Sequence, residues 1–211
     1  MKKPSKLVIS DIQFLKTLPK RELVCGYGEI FKHSLIANKN FFKFLDKNYN
    51  KIFNLKSPFI EKAIHESCKI KRNVVQKDEK ENDLRKILNF GHTFAHAYEA
   101  TLGFSKALNH GEAVILGIKT ALNFGFKNNL TNKKDYFSII KHISKSNLPS
   151  TIKKQFKIKN LNKILTFMIK DKKNNSNKIS LVLLKKIGKP LINQEFTKKS
   201  LGLFLKNELS N

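Results

Sequence analysis

The chain of 211 residues carries 42 Lys and Arg against 16 Asp and Glu, a formal net charge of +26, and 40% of its residues are hydrophobic. That apolar share suffices for a core, no apolar run reaches the roughly 18 residues of a membrane span, and Met1-Lys2-Lys3-Pro4 opens no signal-peptide core. Two cysteines, Cys25 and Cys68, exclude a disulfide framework and a Cys-x-x-Cys metal clasp, and point to a reducing cytoplasm.

Only Arg21, Arg72 and Arg85 are arginines, so 39 of the 42 basic residues are lysines. Arginine is the better planar fork for phosphates and base edges. Lysines run from end to end beside abundant Asn, Ile and Phe, a compositional bias rather than a binding face, and nucleic acid is not expected as a partner.

In chain order, Thr17-Leu18-Pro19 starts a helix over about 19–37, with Pro early and Glu22 in the first turn. Ser57-Pro58 opens a second over about 57–77, with apolar positions Ile60, Ala63, Ile64, Cys68, Val74 and Val75. A third covers about 84–102 with a break near Gly91, and a fourth, about 111–126, is apolar on nearly every side and is expected to be buried. Further helices fit about 133–146, 161–170 and 197–207. Between them, residues 171–178 read as a polar loop, 179–184 as a strand, and Ile187-Gly188-Lys189 as the turn before Pro190-Leu191-Ile192. The architecture is mainly α with a small β-hairpin near the C-terminus. No repeat or linker divides it, so 1–211 reads as a single domain.

The third helix carries the sharpest chemical signal. Arg85, Asn89, His92 and His96 stand at i, i+4, i+7 and i+11, one stripe of an α-helix. The ridge holds two imidazoles, a guanidinium and an amide without a single lysine. In the first helix Gly26 and Gly28 interrupt the run, each costing about 1 kcal/mol against alanine, a cost that makes sense where another backbone or a ligand comes close. Glu29 and Lys32 share a face beside that gap. Lys71 lies on the stripe of Ile64, Cys68 and Val75, which aims its ammonium at the interior or at an anion. His110 precedes the buried fourth helix. Two histidines one turn apart, a third from another element and a carboxylate fit zinc with one open position, and equally non-haem iron. Residue chemistry alone leaves open which of His92, His96 and His110 are ligands.

Thr17-Leu18-Pro19-Lys20-Arg21-Glu22-Leu23 and Gly26-Tyr27-Gly28-Glu29-Ile30-Phe31-Lys32 resemble the TLPxREL and GxAEVIK runs of 3-dehydroquinate synthases. The stretch from Asp78 to Arg85, then Leu88-Asn89-Phe90-Gly91-His92-Thr93-Phe94-Ala95-His96-Ala97, resembles that family's central signature. Asn109-His110-Gly111-Glu112-Ala113-Val114 resembles its HGEAV segment. Asp171-Lys172-Lys173, with Leu181-Val182-Leu183-Leu184 and Ile187-Gly188, resembles its DKK loop and terminal hairpin. Gly28, Asp83 and Ala95 depart from the pattern at positions that touch no ligand.

The resemblance implies the helical C-terminal metal- and substrate-binding domain of that fold, with 1–17 corresponding to the connection between the family's two domains. It makes Glu29, His92 and His110 the ligands of zinc or cobalt, and His96 an active-site histidine rather than a ligand. Lys32, Lys71, Arg85, Asn89 and Lys172 (or Lys173) then line the pocket of a substrate bearing carboxylate and phosphate. Phe14, Leu15, Lys16 and Thr17 match the one part of the NAD site that this half contributes. The implied reaction is the metal- and NAD-dependent conversion of 3-deoxy-arabino-heptulosonate 7-phosphate to 3-dehydroquinate and phosphate, in the cytoplasm, by a homodimer. No Gly-x-Gly-x-x-Gly occurs, so the expected arrangement includes a separate NAD-binding polypeptide. The alternatives are a non-catalytic truncated remnant and a related sugar-phosphate cyclase.

Overall fold

The computed structural model describes residues 9–170 and 178–210. After a 3-10 turn at Ile12–Thr17 come α1 (Lys20–Ala37), α2 (Lys39–Phe53) and α3 (Phe59–Lys77), then a second 3-10 turn at Leu84–Asn89. There follow α4 (His92–Thr101), α5 (His110–Lys127), α6 (Lys133–Lys145) and α7 (Leu161–Lys170). An antiparallel hairpin of β1 (Lys178–Lys186) and β2 (Lys189–Thr197) leads into α8 (Lys198–Ser210).

The mainly helical class with a terminal hairpin is what the periodicities require. Helix α5 forms the centre: Ala113, Val114, Ile115, Ile118 and Leu122 have no exposed surface. Each large aliphatic side chain buried this way contributes about 1.5–3 kcal/mol. Helices α1 and α4 lie directly against α5, and β1 covers it with Ile179, Leu181, Leu183 and Leu184. Leu181 pairs with Gln194 and Leu183 with Leu191, so a bulge with its extra residue on β2 separates the two pairs. The hairpin tip is tied down by Asp135, whose carboxylate accepts from Ile187 N at 3.0 Å and from Lys39 Nζ at 2.8 Å.

Three expectations change. Residues 38–56 carry no element in the sequence reading, yet they form α2, capped by the Asn38 side chain and buried through Phe41, Phe42, Leu45, Asn48 and Ile52. The third helix breaks at Gly91 as expected, but the stripe read across it does not survive. Gly91 adopts φ +80°, and the chain passes from a 3-10 turn into α4 there, so Arg85 and Asn89 do not share an α-helical stripe with His92 and His96. On α3 the core side runs through Ile60, Ala63, Ser67 and Val74. That leaves Cys68 and Lys71 exposed, against the expectation of an inward-pointing lysine.

Candidate metal centre and substrate cleft

Close backbone packing sets the site. A Cβ at Gly28 would stand 2.9 Å from Gly111 O and 3.1 Å from Ile115 Cγ1, and one at Gly111 would collide with the backbone of Cys25. Helix α1 therefore meets the start of α5 at the contact the glycines predicted, although Gly26 faces open space. Gly117 likewise permits α5 to touch Gly91 O, and a Cβ at Gly91 would lie 2.7 Å from Ile118 N. These contacts fix the origins of Glu29 on α1, His92 at the start of α4 and His110 at the start of α5.

One ligand atom from each of Glu29, His92 and His110 falls within 4.8 Å of the others. His92 Nδ1 faces Phe90 O at 3.4 Å, which leaves Nε2 directed at Glu29 Oε1, 3.6 Å away. Burial, aided by the Lys32 charge and opposed by Glu29, pushes the His92 pKa down to about 4, so the imidazole is neutral at pH 7, the form that binds metals. Glu29 Oε1 is buried without a hydrogen-bond partner. A buried carboxylate oxygen left open among two imidazoles is the donor set that a divalent cation completes, so zinc or cobalt fits these residues.

The other oxygen of Glu29 accepts from Lys32 Nζ at 2.8 Å. Burial would raise the Glu29 pKa, but the Lys32 ammonium overrides it and holds the carboxyl low. Lys32 is itself 3% exposed, and burial lowers its pKa in spite of Glu29. Lys71, although exposed, acts on the cluster from the solvent side, since its charge is felt at both Lys32 and His33.

The loop leading to His110 is clamped. The Arg21 guanidinium donates to both Glu112 carboxylate oxygens, at 2.8 and 2.6 Å, and to Lys106 O at 2.8 Å and Ala107 O at 3.1 Å. Glu112 in turn accepts from Asn109 N at 2.9 Å, closing a capping box at the start of α5.

The remaining expected residues divide. The His96 ring is exposed, 5.3 Å from the His92 ring and 6.3 Å from that of His110, beside the Glu29–His92–His110 group rather than within it. Arg85 and Asn89 are held by the acidic loop before them: Arg85 Nη1 donates to Glu79 O at 2.7 Å and Asn89 Nδ2 to Glu81 Oε1 at 2.8 Å. The Asp78 carboxylate folds that loop by accepting from the backbone N–H of Asn82, Asp83 and Arg85, and these bonds hold its pKa low. Phe14, Lys16 and Thr17 face solvent on the first 3-10 turn, while Leu15 faces an apolar groove with Leu18, Tyr27 and Ile52. Lys172 and Lys173 lie outside the described residues. Among the described residues no helix is long and apolar enough to cross a membrane.

Sequence reasoning passed over His33. Its Nδ1 lies 2.7 Å from Ser67 Oγ on α3, its Nε2 is buried without a partner, and burial followed by the Lys32 charge pushes its pKa down to about 4. A histidine directly after a buried lysine was the available signal.

Comparisons with known proteins bear on the family and the fold. The family described as 3-dehydroquinate synthase C-terminal matches residues 26–174. A 3-dehydroquinate synthase of Pelagibacter ubique is 63% identical over 204 residues, covering 97% of this chain and 55% of that protein. One of Aliivibrio fischeri is 40% identical over 183 residues, covering 87% and 49%. The chain thus spans about half the length of the curated relatives it matches. Among solved structures, a 2-epi-5-epi-valiolone synthase of Streptomyces hygroscopicus subsp. jinggangensis with NAD+ and Zn2+ bound superposes with a TM-score of 0.80 at 19% identity, over 95% of this chain and 54% of that one. A 2-deoxy-scyllo-inosose synthase complexed with carbaglucose-6-phosphate, NAD+ and Co2+ gives 0.77 at 22%, over 93% and 55%. At those identities the likeness concerns the fold. With the family description matching most of the chain and a close curated relative covering nearly all of it, the chain belongs to the 3-dehydroquinate synthase family, whose C-terminal region it matches.

Proposed function

We propose that this chain provides the metal- and substrate-binding half of a 3-dehydroquinate synthase, which converts 3-deoxy-arabino-heptulosonate 7-phosphate to 3-dehydroquinate and phosphate in the shikimate pathway. The observation that carries the reading is the unpartnered, buried Glu29 Oε1 facing His92 Nε2 with His110 in reach. Glu29, His92 and His110 would hold zinc or cobalt. When bound, the metal would supply a Lewis acid for substrate hydroxyls and NAD a hydride acceptor and donor.

The chain's own residues do the rest. Lys32, buried and already charge-paired, supplies a fixed ammonium beside the metal ligands, and Lys71 adds a cation from the open side. Arg85 and Asn89, oriented by Glu79 and Glu81, offer donors to an anionic group, and family resemblance gives a lysine of the Lys172-Lys173 pair the same task. His96, solvent-facing and next to the ligand rings, takes a proton on a ring nitrogen and gives it back. Phe14 to Thr17 form the edge of the NAD site. The rest of that site belongs to a nucleotide-binding region, corresponding to the part of the relatives this chain does not span. The reading takes residues 1–211 as one helical domain of a cytoplasmic homodimer, supported by family resemblance.

The test is an assay of phosphate release from the heptulosonate phosphate with NAD. It is run on the purified full chain, with its zinc quantified, before and after adding the nucleotide-binding region of the Pelagibacter relative. Stoichiometric zinc with turnover only after the addition is the expected result. Turnover on a different sugar phosphate instead would assign a related cyclase. Absence of zinc and of rescue would mark a non-catalytic remnant and sink the reading.

A further inference from the structure

Glu99 has no part in the reaction just described, yet it is bonded to one of the metal ligands. It stands on α4 two turns after His92 and one turn after His96, with only 12% of its side chain exposed. Its two carboxylate oxygens lie 3.1 and 3.2 Å from Nδ1 of His110. The backbone around it is pinned as well, because Phe104 N donates to Glu99 O at 2.8 Å and closes the end of α4.

An imidazole that binds a metal must present a bare nitrogen, and the neutral ring carries its single proton on the other one. A carboxylate accepts and does not donate. The contact therefore places the proton on Nδ1 of His110 and leaves Nε2 bare. His92 obtains the same bias from the Phe90 carbonyl and is 13% exposed. His110 is 52% exposed and lacks the packing that would hold its ring by itself. Charge points the same way. Glu29 is already matched by the buried Lys32, so a divalent cation at the three ligands needs negative charge from elsewhere, and Glu99 stands in direct contact with one of them.

We propose that Glu99 is a positioning residue of the metal centre: it accepts the Nδ1 proton of His110, orients Nε2 as the ligand atom and raises its basicity. The inference rests on the metal reading above. Outer carboxylates of this kind are worth about 10- to 100-fold in metal affinity.

The test uses the full chain and the metal ion alone, without substrate or NAD. Zinc affinity is measured by competition with a chromophoric chelator, and the visible absorption of the cobalt(II) form is recorded. In Glu99→Gln the amide oxygen still accepts the proton but brings no charge, and zinc affinity is expected to fall about 10-fold with a shifted cobalt band. In Glu99→Leu the bond is lost, and a fall of about 100-fold is expected. Urea midpoints of the metal-free proteins should stay together, since a merely structural role would move those and leave the cobalt band unchanged. If the leucine variant fails to fold, the isosteric glutamine variant carries the test. Parental zinc affinity and parental cobalt spectrum in the glutamine variant would overturn the inference while leaving the metal reading intact. A parental chain that binds no zinc would overturn both.

Discussion

Helix α1 borders two buried polar clusters. On one side His142, with no exposed surface, donates from Nδ1 to Asp46 Oδ1 at 2.9 Å and accepts at Nε2 from the Tyr27 hydroxyl at 2.9 Å. Lys145 closes the rim by reaching both the Asp46 carboxylate and its carbonyl at 2.7 Å, and the rings of Phe31, Phe42 and Tyr49 enclose the imidazole. On the other side stand Glu29, Lys32, His33 and His92, with Glu29 Oε1 and His33 Nε2 buried and unpartnered. Both clusters contain histidine, carboxylate and lysine. The first satisfies itself and needs nothing further, whereas the second keeps polar atoms open at a cost of about 1–3 kcal/mol each. Residue types alone do not separate a structural histidine from a ligand. Unmet hydrogen bonding marks where a further group fits.

The comparison breaks most readily at the open cluster. His92→Ala or Glu29→Ala is expected to abolish stoichiometric zinc binding, while His96→Ala keeps the metal and loses turnover. Metal analysis of the three purified variants decides it, and the reverse pattern would exchange the roles of His92 and His96. At the closed cluster, His142→Ala leaves a cavity among aromatic rings and strands Tyr27 and Asp46. Unfolding stability should fall by about 3–4 kcal/mol with zinc binding unchanged, measured by urea titration.

A pH titration sharpens the contrast further. His33 has its pKa lowered from 6.5 to about 4 in the folded chain, so the unfolded chain takes up that proton first. The stability linked to His33 is therefore whole above about pH 6.5 and drains away as pH falls towards 4, about 3 kcal/mol in all. Metal-free His33→Gln should lack that share, and parallel urea-stability curves for parent and variant would refute it. The smallest effect is expected at the rim. Both members of the Lys145–Asp46 pair are about one-third exposed, so Lys145→Ala should cost about 0.5–1 kcal/mol, read in the same urea titration.

Much of this could be read from the chain before folding. The start signal at Thr17-Leu18-Pro19 located α1, the run apolar on nearly every side located α5, and Gly28 announced the close approach that Gly111 completes. Where the reading failed, a polar residue sat in the core or a backbone turned sharply. Ser67 occupies the buried side of α3, so the visibly apolar neighbours Ile64, Cys68 and Val75 suggested the wrong stripe and turned Lys71 inward. Asn48 does the same in α2, although the Asn38 cap was there to be seen. The break expected near Gly91 is there, at φ +80°, but the stripe from Arg85 to His96 spans it as if the helix were continuous. His33–Ser67 and His110–Glu99 join residues of different elements, which periodicity does not pair. The ligand set came from family resemblance, because three histidines at workable spacings fit a metal equally well.

The glycine contacts have a consequence for protein engineering. Because α1, α4 and α5 meet backbone to backbone at Gly28, Gly111, Gly91 and Gly117, the separation of the helices that carry Glu29, His92 and His110 is set by main chain and barely by the side chains around it. A chimaera that takes the outer elements, α2, α3, α6 and the hairpin, from a distant relative should keep its ligands in register as long as those four glycines are retained. A design that preserves every ligand but fills one of those glycines with a methyl group would push the helices apart and pull the ligands out of register.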